Sequence, residues 1–328
     1  MITNDISRRS FLVHGAAAAG AVALAPAAVA AAKLPLRNLK TPDAASGQMW
    51  LGGDIQINRM GLGTAEFTSL EGVVLADPKG IRALLRRAID LGVNHLDTAA
   101  NYGSGIVESL CERFIYDALY PYPRDLLIAT KGGQVRADGR QSVDGRPEHL
   151  RSECEGSLKR LKLEQIGLYY MHRPDPKVPF EDSIGELAKM QKEGKIRHIG
   201  LSGVNAAQLA QARSLVKVVA VQNRYNFLTR ESDEVLEICE RDRIAFVPFS
   251  PLGGRTAAAL SNTDSRLAGM QALARKRGIS DAQSVLAWLL ARSPMILAIP
   301  GTTKIEHLED NVGAGKVRLT RQEMAQIA

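Results

Sequence analysis

The chain has 328 residues, 45% of them hydrophobic, 23% charged and 5% aromatic, enough to bury the core of one large domain or two small ones. That balance excludes collagen-like, disordered and disulfide-scaffold classes. The net charge of +7, from 42 basic and 35 acidic residues, is spread without a run of one sign or a basic stripe interleaved with aromatics, so nucleic acid is not an expected partner. Cys111, Cys154 and Cys239 are far apart and show no C-x-x-C or other metal spacing. They read as small buried hydrophobes, and no metal site is expected.

The N-terminal segment reads as an export signal. Ser7-Arg8-Arg9-Ser10-Phe11-Leu12 leads into an alanine-rich stretch with no Asp, Glu, Lys or Arg before Lys33, and Ala28, Ala30 and Ala32 offer A-x-A-like cleavage sites. A basic start, an apolar run and a small-residue exit make up a secretory signal. The paired arginines before Phe11 and Leu12 look like the twin-arginine type. The expectation is a signal over residues 1–32, a proline-containing linker over 33–48 and one domain over 49–328, exported to the periplasm by the twin-arginine machinery. Two readings stay open beside it. One is an uncleaved membrane anchor, since residues 10–32 are long enough to span a bilayer, although alanine is weakly apolar and Pro26 interrupts the run. The other is a leader on a cytoplasmic protein.

From Met49 onward, short apolar runs alternate with stretches of helical period. The runs are Arg59–Gly63, Asn94–Asp97, Leu126–Thr130, Ile166–His172, Ile196–Ser202, Val218–Gln222, Ala245–Phe249 and Ile296–Pro300. Between the first two, Asp77-Pro78 is an N-cap and N1 pair, and Ile81, Leu84, Leu85, Ala88 and Ile89 follow on one helical stripe. Asn205 with Gln208, and Ser280 with Gln283, resemble capping boxes. Continuous apolar strands separated by helices imply a parallel sheet covered by helices. Eight such units fit a closed α/β fold, the (β/α)8 TIM barrel, in a single domain. An open doubly wound sheet is the alternative, but Gly61-Leu62-Gly63 does not continue into G-x-G-x-x-G.

In a barrel of this kind, chemistry sits at the C-terminal ends of the strands. The second run ends in Asp97-Thr98-Ala99 with Tyr102-Gly103 beyond, Lys131 follows the third, and His172 closes the fourth. Each has an ordinary reading by itself: a turn residue, a packing aromatic, a solvated charge, a satisfied imidazole. Together they make a set that can polarise and protonate a carbonyl. Lys131 lowers the pKa of the Tyr102 phenol, Asp97 holds the lysine charged and in place, and His172 orients the carbonyl oxygen.

These residues resemble the aldo/keto reductase family. The likeness rests on Leu96-Asp97-Thr98-Ala99…Tyr102-Gly103, Ala129-Thr130-Lys131-Gly132, Tyr169-Tyr170-Met171-His172-Arg173, Gly200-Leu201-Ser202, Ser250-Pro251-Leu252-Gly253 and Ile299-Pro300-Gly301, in order from about Met49 to Leu319. It implies NADPH-dependent reduction of a small-molecule aldehyde or ketone without metal. Tyr102 is then the general acid, Lys131 and Asp97 its tuners and His172 the orienting group. The alternative is a cofactor-binding redox sensor or subunit that turns over slowly. The oligomeric state stays open.

The same resemblance distributes the cofactor. Gly63 and Thr64 match the backbone approach to the nicotinamide, and Ser202 and Gln222 match the side chains on its carboxamide. Phe249 stands where the family usually stacks a tyrosine, and its π-face suffices for that. Gly203 replaces a frequent Asn, so one carboxamide contact is missing. Ser250, Leu252 and Gly253, in the loop after the seventh run, are cofactor-binding positions by the same resemblance. Thr302, Lys304 and His307 fall where the adenosine 2′-phosphate is met, and Asp310 and Asn311 where adenine is. Lys304 is a point charge and not a bidentate clamp. NADPH is therefore expected, with NADH possible. The segment from Gly132 to Arg146, with Arg136, Arg140 and Arg146 and with Asp138 and Asp144 between them, is expected to be a loop that bears on substrate choice; its charges read first as solvated surface and alternatively as an attraction for an acidic substrate.

Overall fold

The computed structural model describes residues 46–68, 77–103, 109–137, 140–254 and 265–327. The expected signal and the linker up to residue 45 lie outside them. The described chain opens with an antiparallel hairpin of β1 (Gln48–Leu51) and β2 (Ile55–Asn58), which the alternation of runs and helices does not reveal. The repeats follow: β3 (Leu62–Gly63) and α1 (Pro78–Asp90), β4 (His95–Asp97) and α2 (Leu110–Leu119), then β5 (Leu127–Gly132). A second hairpin, β6 (Gln134–Ala137) and β7 (Arg140–Val143), precedes α3 (Pro147–Leu161). The segment expected to be a loop over Gly132–Arg146 is thus largely a two-stranded ribbon. Next come β8 (Ile166–Met171) and α4 (Phe180–Lys192), β9 (Ile196–Ser202) and α5 (Ala206–Leu215), β10 (Val218–Arg224) and α6 (Asp233–Asp242), and β11 (Ala245–Phe249). Helices α7 (Ser265–Arg277), α8 (Asp281–Arg292), α9 (Ile305–Gly313) and α10 (Arg321–Gln326) complete the described chain.

Seven strands form one parallel sheet in the order β11-β10-β9-β8-β5-β4-β3. The eighth run, Ile296–Pro300, makes bridges to both edges of this sheet in place of a long ladder. Leu297 N–H donates to Phe246 O at 2.9 Å on one side, and Gly61 N–H donates to Ala298 O at 2.8 Å on the other, so the ring of strands closes. Gly63 is required there, because a Cβ would lie 2.7 Å from the Ile299 carbonyl oxygen. The Arg59 guanidinium reinforces the seam by donating to the carbonyls of Leu290, Ser293 and Ile296.

Local signals set the helices. Asp77 accepts from Gly80 N–H with Pro78 at N1, and both anticipated capping boxes are present, at Asn205–Gln208 and Ser280–Gln283. In α1, Ile81, Leu84 and Leu85 are fully buried; each contributes on the order of 2 kcal/mol relative to exposure. Successive strand residues face opposite sides. The outward rows pack on helices, whereas Leu127, Ala129, Leu168, Tyr170, Val247, Leu297 and Ile299 gather in one inner cluster with Met49, Leu51 and Ile57 of the first hairpin. That hairpin stoppers the end of the barrel where the strands begin. The inner rows continue upward to Lys131 and His172, so charged and polar groups crown an apolar core at the opposite end.

Candidate active site

Lys131 is the centre of the site. Its side chain is fully buried at the end of β5, where each of its three protons has an acceptor. Nζ donates to Asp97 Oδ1 at 2.6 Å, to the Thr98 carbonyl oxygen at 2.9 Å and to Tyr102 Oη at 3.2 Å. Asp97 Oδ2 accepts from Gln222 Nε2 at 2.8 Å, so β4, β5 and β10 are joined through one network. The His172 ring meets the Tyr102 ring edge-on with centroids 5.9 Å apart. His172 Nδ1 is buried without a hydrogen-bond partner among the described residues.

The electrostatics correct one expectation. Burial raises the Tyr102 phenol above its ordinary pKa and outweighs the nearby Lys131 cation, which acts in the opposite direction. The phenol thus keeps its proton at neutral pH. Burial also works against the Lys131 charge, but Asp97 and Tyr102 more than offset it and hold the ammonium above the usual lysine value. Burial, with the Lys131 and Arg173 charges nearby, keeps the His172 imidazole well below the ordinary histidine range and therefore neutral. Two residues before Asp97 on the same face of β4 lies His95, fully buried, with neither ring nitrogen hydrogen-bonded among the described residues. Its pKa is pulled down to about 4 by burial.

A family model described as the aldo/keto reductase family matches residues 59–328. The chain belongs to the aldo/keto reductase family. It is 41% identical over 278 residues to an uncharacterized oxidoreductase of Schizosaccharomyces pombe, covering 84% of this chain and 87% of that protein. A thermostable aldo-keto reductase solved with the inhibitor epalrestat is similar with a TM-score of 0.74 at 29% identity, over 86% of this chain and 98% of the other. An aldo/keto reductase of Klebsiella pneumoniae, solved with NADP and acetate, is similar with a TM-score of 0.69 at 25% identity, over 85% and 93% of the two chains.

In this aldo/keto reductase, a cleft of about 1120 Å³ opens above the network. Asp97, Tyr102 and His172 line it, while Lys131 lies beneath. Gly63, Ser202, Gln222, Phe249, Ser250, Leu252, Thr302, Lys304, His307, Asp310 and Asn311 line it as well. Thr64 does not: it is buried, with its N–H and hydroxyl both donating to the Asp97 carbonyl oxygen. Gly253 is not on the wall either, and its N–H donates to Ser250 O within a turn. Gln222 has its amide nitrogen committed to Asp97, and its carbonyl accepts no hydrogen bond among the described residues. Asp310 accepts from Ser280 Oγ at 2.5 Å and ties α9 to α8. Sequence reasoning missed the Thr98 carbonyl, because a backbone acceptor has no residue signature. It gave no role to Arg173, which lines the cleft beside His172, or to Gln134 and Gln141; Arg136, read from the sequence as one of the loop charges that bear on substrate, is lifted into the wall with these two glutamines by the second hairpin.

Proposed function

We propose that this chain reduces an aldehyde or ketone to the alcohol with NADPH, with Tyr102 as general acid. The observation that carries this reading is the use of the three Lys131 protons. Tyr102 Oη accepts one of them, so its own proton is directed away from Lys131 and available toward the cleft. The donor set along the cleft suits an extended nicotinamide dinucleotide. Ser202 and the Gln222 carbonyl stand near the network, the Phe249 ring gives an apolar face, and Thr302, Lys304 and the start of α9, which lacks a side-chain cap, supply donors and a cation for phosphate. The Klebsiella relative solved with NADP supports the same assignment.

A nicotinamide held beside Ser202, Gln222 and Phe249 would supply the hydride for the carbonyl carbon. His172, held neutral, donates from its cleft-facing nitrogen to the carbonyl oxygen and fixes its direction. Tyr102 delivers its proton to that oxygen as the C=O bond becomes C–O–H. The phenolate left behind is stabilised by Lys131 and regains a proton from solvent through the open cleft. Asp97 keeps Lys131 charged and aimed. Replacing Tyr102 by Phe should lower turnover at least about 100-fold, while the NADPH dissociation constant from fluorescence titration stays as in wild type. Retained turnover would remove Tyr102 from the reaction.

We also propose that the protein is exported through the twin-arginine route as a folded domain. The pattern from Ser7 to Ala32 motivates this, and the three buried thiols, none in a disulfide among the described residues, suit a fold completed before export.

A further inference from the structure

Arg173 follows His172 directly and lines the same cleft, yet it makes no hydrogen bond and no ion pair with any described residue. Its guanidinium stands 5.9 Å from the centre of the Phe249 ring. Gly203, with φ +66°, lies directly against this side chain: a Cβ there would sit in ordinary van der Waals contact, 3.4 Å from Arg173 Nη1 and 3.6 Å from its Cγ. The acid closest to the reacting end is already engaged, because Asp97 is shared between Lys131 and Gln222. Arg136 adds a second cation to the wall from β6, which continues β5, the neighbour of β8. A guanidinium without a carboxylate partner in a cleft is a fork that matches a planar anion in two parallel hydrogen bonds. Arg173 lines the same cleft as Tyr102 and His172, and its charge acts on the His172 ring, so an anion held by it shares the cleft with the oxygen that Tyr102 protonates.

We infer that Arg173 anchors an anionic group of the substrate, so that the preferred carbonyl compound carries a carboxylate a short distance from its aldehyde or ketone. This rests on the reductase reading above and adds the substrate class to it. The bond to the anion is made equally before and during hydride transfer. Its loss therefore falls on KM more than on kcat.

The test uses the full mature chain with NADPH and two matched probes, 4-carboxybenzaldehyde and 4-methylbenzaldehyde. Wild type should favour the carboxylate by kcat/KM, and the preference should shrink as salt rises. In Arg173→Gln the ratio of the two kcat/KM values should fall at least about tenfold, the range of a lost charge-assisted contact. Arg173→Lys should recover part of it. The NADPH dissociation constant, measured without substrate, should stay within about twofold. A ratio unchanged in Arg173→Gln overturns the inference while leaving the reductase reading intact. So does a ratio that holds while NADPH binding weakens, which would move Arg173 to the cofactor. A wild type that consumes NADPH with neither probe counts against the reductase reading itself, and the anchor falls with it.

Discussion

Replacing Lys131 by Met tests the central network through stability and chemistry together. The ammonium is wholly enclosed and the Asp97 carboxylate is 3% exposed, so removing the cation strands a charge in the barrel. Breaking a buried pair from one side costs about 3–5 kcal/mol. Asp97 still accepts from Gln222 Nε2, which places the loss at the lower end, about 3 kcal/mol. At roughly 2–4 °C per kcal/mol for a domain of this size, the melting temperature should drop by about 6–12 °C. Adding Asp97→Asn removes the stranded charge and should restore about half of that drop, since losing both partners is milder than losing one. Turnover should be abolished in both variants, because the phenolate has lost its counter-cation. Scanning calorimetry with circular dichroism at pH 7 gives the melting temperatures, and NADPH oxidation gives the rates. A single variant that melts within about 2 °C of wild type, or a double variant less stable than the single, would refute the coupling.

Acid stability offers a second check. His95 is folded as the neutral ring with its pKa near 4, against about 6.5 when unfolded. The unfolded chain binds the extra proton between those values, so stability should fall as pH drops from 6.5 toward 4, by about 3 kcal/mol from this residue. His95→Leu should flatten that part of the melting-temperature profile; an unchanged slope would remove His95 as its source. For cofactor choice, Lys304→Glu should weaken NADPH much more than NADH in fluorescence titrations by replacing attraction with repulsion, and a parallel loss would place the 2′-phosphate elsewhere. Arg8→Lys with Arg9→Lys should leave a folded, active precursor in the cytoplasm, read by fractionation and N-terminal sequencing. Wild-type protein found only in the cytosol with Met1 intact would refute export and leave the reductase reading untouched.

Much of the barrel was legible in the chain because its signals are local. Asp77-Pro78, Asn205 with Gln208 and Ser280 with Gln283 satisfy the first N–H groups of their own helices, so a reader needs only a few neighbouring residues to find them. The apolar runs likewise announce the strands, and the polar residues that end them announce Asp97, Lys131 and His172. Both hairpins escaped, since β1–β2 covers the end of the barrel and β6–β7 rises from a strand end without its own apolar run. The sign of the Tyr102 shift also escaped. Adjacency to Lys131 favours the phenolate, but how far burial opposes it depends on what closes over the ring. The sequence by itself therefore determined which elements form and which residues lie at their ends, because period, capping and composition act within a few residues. Only the tertiary structure decided that Gln222 is spent on Asp97, that Arg173 faces the Phe249 ring with no ion pair among the described residues and that Gly203 lies directly against it. Those facts depend on distances between residues from different strands, set by the closure and register of the barrel.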